Sequence, residues 1–139
     1  MQVKRLVLGE ETEILAVPAL FDRPLDPEAV REYLAEDRNI LLLAMERGRA
    51  VGFLRGTALG QLRSTRPQMF LYEVSVLKGF RRRGIAGKLI RSLLSYCRER
   101  GFEEVFVLTD PNNRAAVRLY RSTGALPETS ADRMFVYQL

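Results

Sequence analysis

The sequence predicts a mixed α/β fold, a single layer of β-sheet with helices on its faces. Three observations predict it. Runs of period-2 hydrophobicity interleave with runs of period 3.6. Gly, Pro and Asp punctuate them at short intervals. The 139 residues, 47% of them apolar, suffice for one well-buried core. The expected order is β-α-α-β-β-β-α-β-α-β, in one domain over residues 1–139 without linker or repeat.

Residues 3–8 alternate as a first strand ending at Gly9. Residues 11–22 read as helical, with Pro18 expected to break or kink them. Asp26-Pro27-Glu28 is a helix start, an N-cap acid followed by Pro at the first helical position, and the helix runs to about Glu36. Residues 39–46 and 50–59 form a hairpin through Arg47-Gly48-Arg49. A polar loop covers 61–67, and 69–77 is a strand rich in β-branched and aromatic residues. After a Gly- and Arg-rich turn, 85–100 is a helix with Leu89, Ile90, Leu93, Leu94 and Cys97 as its apolar stripe. Gly101 closes it. Residues 104–108 are a strand, 113–122 a helix stopped near Gly124, and 133–138 a last strand.

The composition excludes several chemistries. There is no histidine, which removes Ser-His-Asp triads, Cys-His pairs and histidine metal sites, and no metal is implied. Proton transfer must use carboxylate, tyrosine, lysine, thiol or water. A lone cysteine, Cys97, rules out an internal disulfide and suits a reducing compartment. The apolar run 40–45 is too short to span a bilayer, and the N-terminus lacks a secretory signal, so a cytoplasmic protein without membrane contact is expected.

The net charge of +5 is local. Lys78, Arg81, Arg82, Arg83 and Lys88 carry it, no acid lies between Val74 and Arg98, and the remaining basic residues balance the 17 acids. A compact patch of this kind fits a bound anion of limited size better than a nucleic acid, which calls for a wider stripe. The patch lies where a strand enters a Gly- and Arg-rich loop that opens a helix. Unpaired amides and the helix dipole there suit phosphate oxygens, Gly84 and Ala86 leave room for them, and the arginines add charge-assisted hydrogen bonds.

Arg81-x-x-Gly84-x-Ala86 resembles the acetyl-CoA signature of the GNAT N-acetyltransferases, Gln/Arg-x-x-Gly-x-Gly/Ala. Asn113-x-x-Ala116-x-x-Leu119-Tyr120-x-x-x-Gly124 is similar to the downstream helix of that family. The resemblance implies the GNAT fold, a mixed and mostly antiparallel sheet with helices on both faces. It also implies direct acetyl transfer from acetyl-CoA, as cosubstrate, to a primary amine. Backbone amides from Arg82 through Arg83, Gly84 and Ile85 to Ala86 would cradle the pyrophosphate. The backbone of Val74 and Val76 would pair with the pantetheine arm, and an amide near Val76 would polarise the thioester carbonyl. Arg81 belongs to the same signature. Tyr120 would protonate the departing thiolate, and Asn113 would contact the cofactor.

An ammonium must lose a proton before it attacks a thioester. Without histidine, Glu73 and Asp110 are the candidate bases, acting through water or by attracting the ammonium. On its strand Glu73 faces away from Val74 and Val76. Within the superfamily, Tyr72-Glu73-Val74-Ser75-Val76 and Arg81-Arg82-Arg83-Gly84-Ile85-Ala86 are similar to type I aminoglycoside 3-N-acetyltransferases. That group carries acids after the position of Asp110, where this chain has Asn113 and Arg114, and Arg63 and Arg66 add positive charge nearby. Other acceptors remain open: a polyamine, an amino acid or a protein N-terminus. So do a non-catalytic acyl-CoA sensor and a nucleic-acid-binding domain. The resemblance leaves a homodimer open, with the C-terminal strand as one interface.

Overall fold

The computed structural model describes residues 1–127 and 134–139. Five strands form one sheet in the order β1 (Gln2–Arg5), β2 (Asn39–Glu46), β3 (Arg49–Leu59), β4 (Gln68–Val76), β5 (Glu104–Val107). The first four are antiparallel, and β5 runs parallel to β4. The parallel pair needs a crossover, which α3 (Ile85–Glu99) supplies. The remaining helices are α1 (Thr12–Leu15), α2 (Pro27–Ala35) and α4 (Arg114–Ser122), with 3-10 turns at Pro18–Leu20 and Lys78–Phe80.

Strand β2 is buried from Ile40 to Ala44, so successive side chains feed two cores. On one face Ile40, Leu42, Leu54, Met69, Leu71 and Val76 pack against Ile85, Leu89, Ile90, Leu93 and Cys97 of α3. On the other, Leu41, Leu43, Ala50 and Phe53 pack against Leu6, Ile14, Val17 and Leu20. The expected mixed, mostly antiparallel sheet with helices on both faces is therefore the observed one.

Local chemistry sets most boundaries. Asp26 caps α2 by accepting from the amides of Glu28 and Ala29 at 2.9 and 3.4 Å. The β2–β3 turn has Arg47 and Gly48 at φ +49° and +77°, the left-handed pair that a two-residue hairpin needs. Pro18 splits the expected 11–22 helix into α1 and a 3-10 turn, because proline offers no amide to continue the ladder. The first strand stops at Arg5, since the Glu10 carboxylate takes the Val7 amide at 3.0 Å and starts a turn.

The expected last strand does not form in its described part. Residues 134–138 pair with no strand among the described residues, and Phe135 and Tyr137 are 85% and 90% exposed. Arg133 lies outside the described residues. Strand propensity measures fit to a half-buried pleated surface, and among the described residues this run has no such surface opposite it.

Candidate active site

Strands β4 and β5 pair only from Gln68↔Glu104 to Leu71↔Val107. At that point β4 carries an extra residue. Arg55 of β3 lies opposite Glu73 while its neighbour Gly56 lies opposite Leu71, which leaves Tyr72 bulged out of register. Gly56 permits this geometry, since a Cβ there would sit 2.9 Å from the Phe70 carbonyl oxygen. Beyond the bulge β4 has no strand neighbour on the β5 side among the described residues. The Leu77 amide donates to the Val51 carbonyl at 2.8 Å, so by alternation Ser75 and Glu73 also turn their backbone groups toward β3. The backbone groups of Val74 and Val76 face the gap.

The strand then enters the loop before α3. Arg82 and Gly84 have φ +63° and +75°, so two left-handed residues flank Arg83, and Gly84 caps the helix without a side chain. The amides of residues 82–86 donate to no acceptor among the described residues. Such a concave row of free amides at a helix start is a ready seat for an anion. The five-charge patch is less compact than its sequence. Arg81 turns back, its Nε donating to the Val76 carbonyl at 3.1 Å, and Lys88 Nζ donates to the Met1 carbonyl at 2.9 Å. Arg83 instead lines a cleft of about 410 Å³ with Arg47 and Arg49 of the hairpin turn. Sequence spacing could not reveal that meeting, since 34 positions separate Arg49 from Arg83.

Tyr120 is half-buried on α4 and packs against the same core cluster as Val74. Burial pushes its phenol above the ordinary range, so it holds its proton at neutral pH. Asn113 is the N-cap of α4, its side chain accepting from the Ala116 amide at 3.1 Å. Asp110 closes an Asx turn, accepting from the Asn112 amide at 2.8 Å, and remains exposed in the loop after β5.

Glu73 stands apart from these groups, on the opposite face of the sheet, in a pocket of about 270 Å³ between β3, β4 and α2. Asp110 is not among the residues lining that pocket. Arg55 Nε sits 3.4 Å from the Glu73 carboxylate. The guanidinium carbon lies 3.9 Å from the Tyr72 ring centroid and 5.8 Å from that of Tyr33. The Tyr33 hydroxyl donates toward the carbonyls of Ile40 and Gly56, at 2.9 and 2.8 Å. Burial pushes that phenol up to about 12, against the opposing influence of Arg55. The sequence alone does not reveal that Arg55, Tyr33 and Asp26 line this pocket with Glu73. Only the cross-strand register places Arg55 beside Glu73, and no local motif encodes it.

The sequence matches the Acetyltransferase (GNAT) family over residues 10–125. N-acetyltransferase 8 of Rattus norvegicus is 30% identical over 97 residues, 70% of this chain and 44% of that protein. N-acetyltransferase family 8 member 3 of the same organism is 32% identical over 68% of this chain and 41% of its own length. The chain thus spans less than half the length of these relatives. The aminoglycoside acetyltransferase meta-AAC0020, from an uncultured soil metagenomic sample and solved with sisomicin, superposes with TM-score 0.89 at 28% identity. That match covers 99% of this chain and 95% of the other. Aminoglycoside N-acetyltransferase AAC(6')-Iy, solved with CoA, shares the fold at TM-score 0.76 and 22% identity, over 99% of this chain and 100% of its own. With the family matched along most of its length and the fold matched along nearly all of it, this chain belongs to the GNAT acetyltransferases.

Proposed function

We propose that residues 1–139 form a single N-acetyltransferase domain that moves the acetyl group of acetyl-CoA directly to a primary amine. The observation that carries this reading is the continuity of two features. The open β4 edge at Val74 and Val76 leads straight into the free amides of residues 82–86. A pantetheine arm hydrogen-bonds like a strand, and its pyrophosphate would arrive where those amides converge. Arg82, Arg83, Gly84, Ile85 and Ala86 hold the pyrophosphate in this proposal, with Arg81 bracing the loop. Asn113 serves the cofactor by starting α4.

In the transfer, the amine nitrogen bonds to the thioester carbonyl carbon, and the oxyanion is held by the Val76 amide. The carbon–sulfur bond then breaks, the sulfur takes the proton of Tyr120 as CoA leaves, and the second proton released by the acylated nitrogen restores the phenol through solvent. Glu73 attracts the ammonium and receives its proton through water. Asp110, committed to its turn, is the weaker candidate for that role.

The likeness to meta-AAC0020 puts amino sugars among the amines to test, without selecting them over other acceptors. Thiol release from acetyl-CoA across aminoglycosides, polyamines, amino acids and short peptides, with a blank lacking acceptor, decides the matter. Release with any one amine supports the transferase. Absence of acetyl-CoA binding overturns it.

A further inference from the structure

The pocket that holds Glu73 is mostly apolar, and its charges are already answered. Asp26 accepts two amides at the start of α2, where the helix dipole meets its charge. Glu73 faces Arg55 at 3.4 Å. Arg55 is itself held by two aromatic rings, with Tyr72 at 3.9 Å and Tyr33 at 5.8 Å. The Tyr33 ring is fixed in turn by its hydroxyl, which bridges carbonyls of β2 and β3. Arg55 is thus a built part of the pocket, placed beside the β-bulge and near two aromatic rings. The rest of the wall includes Phe21, Leu25 and Phe53.

We infer that Arg55 determines acceptor specificity, restricting the pocket to amines with one positive charge and an apolar body at the expense of polycations. The inference rests on the transferase reading above and narrows its acceptor. One ammonium can share the Glu73 carboxylate with Arg55, because a carboxylate offers about four lone-pair sites. Further ammonium groups on the same molecule would meet the guanidinium. Besides Glu73, the lining residues offset it only with the exposed Asp26 carboxylate, one oxygen of which already accepts two helix amides. Like charges brought together in a partly desolvated cleft oppose binding. An aralkyl body gains instead by burying area against Phe21, Leu25 and Phe53.

The test compares 2-phenylethylamine with spermine and sisomicin, on the unaltered protein, Arg55→Gln and Arg55→Lys. The unaltered protein is expected to prefer 2-phenylethylamine in kcat/KM. Arg55→Gln should raise the polycation-to-monoamine ratio of kcat/KM about tenfold, through KM rather than kcat. Arg55→Lys, which keeps the charge, should retain the original preference. The gain in Arg55→Gln should fade in 0.5 M salt, as expected for screened charges. An unchanged polycation-to-monoamine ratio in Arg55→Gln overturns the inference, as does a polycation preference in the unaltered protein. Calorimetric binding of the three amines to the acetyl-CoA-loaded proteins gives the same comparison without turnover. If none of the three amines is acetylated, the binding ratios still support or refute the role of Arg55, and acetyl-CoA binding decides the transferase reading separately.

Discussion

Arg81 Nε donates a 3.1 Å hydrogen bond to the carbonyl oxygen of Val76, tying the start of the loop to the last residue of β4. The bond occupies the Val76 carbonyl on the open side of the strand and leaves the Val76 amide free. It also braces the turn in which Arg82 holds φ +63°, a conformation that disfavours a side chain. A charge-assisted bond of this kind is worth about 1.5–3 kcal/mol when well made. Arg81→Ala should therefore weaken acetyl-CoA binding by about tenfold or more while leaving the fold intact. Calorimetric titration beside a thermal melt separates the two effects.

The loop itself gives a sharper expectation. Gly84 holds φ +75° at the N-cap of α3, and a carboxylate there would face the anion seat. Gly84→Asp should combine backbone strain with charge repulsion and reduce acetyl-CoA affinity by about a hundredfold, roughly 2.7 kcal/mol. Arg83→Glu should weaken affinity in the same direction. Affinity unchanged in both would remove the pyrophosphate seat from residues 82–86.

Tyr120 is a half-buried phenol on α4, packed on the core, and its raised pKa keeps the proton available. Tyr120→Phe should lower kcat by about a hundredfold with little change in acetyl-CoA affinity, the signature of a lost general acid. The sign for pH is direct. A group with a raised pKa stays protonated through neutrality, so the acid limb of kcat should not depend on Tyr120. The alkaline limb should fall as pH climbs past the phenol, and it should lose that fall in the phenylalanine variant. Undiminished turnover in Tyr120→Phe would remove the acid role.

These residues also mark what the sequence makes legible. The loop at 81–86 is contiguous, and its glycine and arginine pattern carries its geometry, so the anion seat can be read from one dimension. The same holds for the Asp26 cap and the β2–β3 turn, where a few adjacent side chains decide the backbone. The pocket around Glu73 cannot be read that way. Arg55 meets Glu73 only because β3 and β4 pair in one register, and Tyr33 reaches both through the packing of α2 on the sheet. The failure at residues 134–138 has the opposite cause, since Met-Phe-Val-Tyr has strong local strand character and no partner among the described residues. Local propensity was visible there, and the tertiary context that would use it was not.

Gly56 is the position where the bulge tolerates no side chain. A Cβ would lie 2.9 Å from the Phe70 carbonyl oxygen and 3.0 Å from Met69 Sδ. The sulfur can move, but the carbonyl belongs to the paired part of β4. Gly56→Ala should destabilise the protein by about 1–3 kcal/mol and disturb the register that sets Arg55 against Glu73. A urea unfolding curve measures the first effect. A change in acceptor KM with unchanged acetyl-CoA affinity measures the second.

Tyr33 links stability to the acceptor pocket, since its hydroxyl serves the Ile40 and Gly56 carbonyls while its ring supports Arg55. Tyr33→Phe keeps the ring but leaves both carbonyls without that donor, at a cost of about 1–2 kcal/mol. Its titration gives a second readout. The folded-state pKa is pushed up to about 12 from an ordinary 10.0, so folding favours the protonated phenol. That contribution is complete below pH 10 and is lost as pH rises toward about 12. The unaltered protein should accordingly lose stability over that interval more steeply than Tyr33→Phe, in urea melts recorded at stepped alkaline pH. Parallel curves for the two proteins would mean that the buried phenol does not contribute to the alkaline limit of the fold.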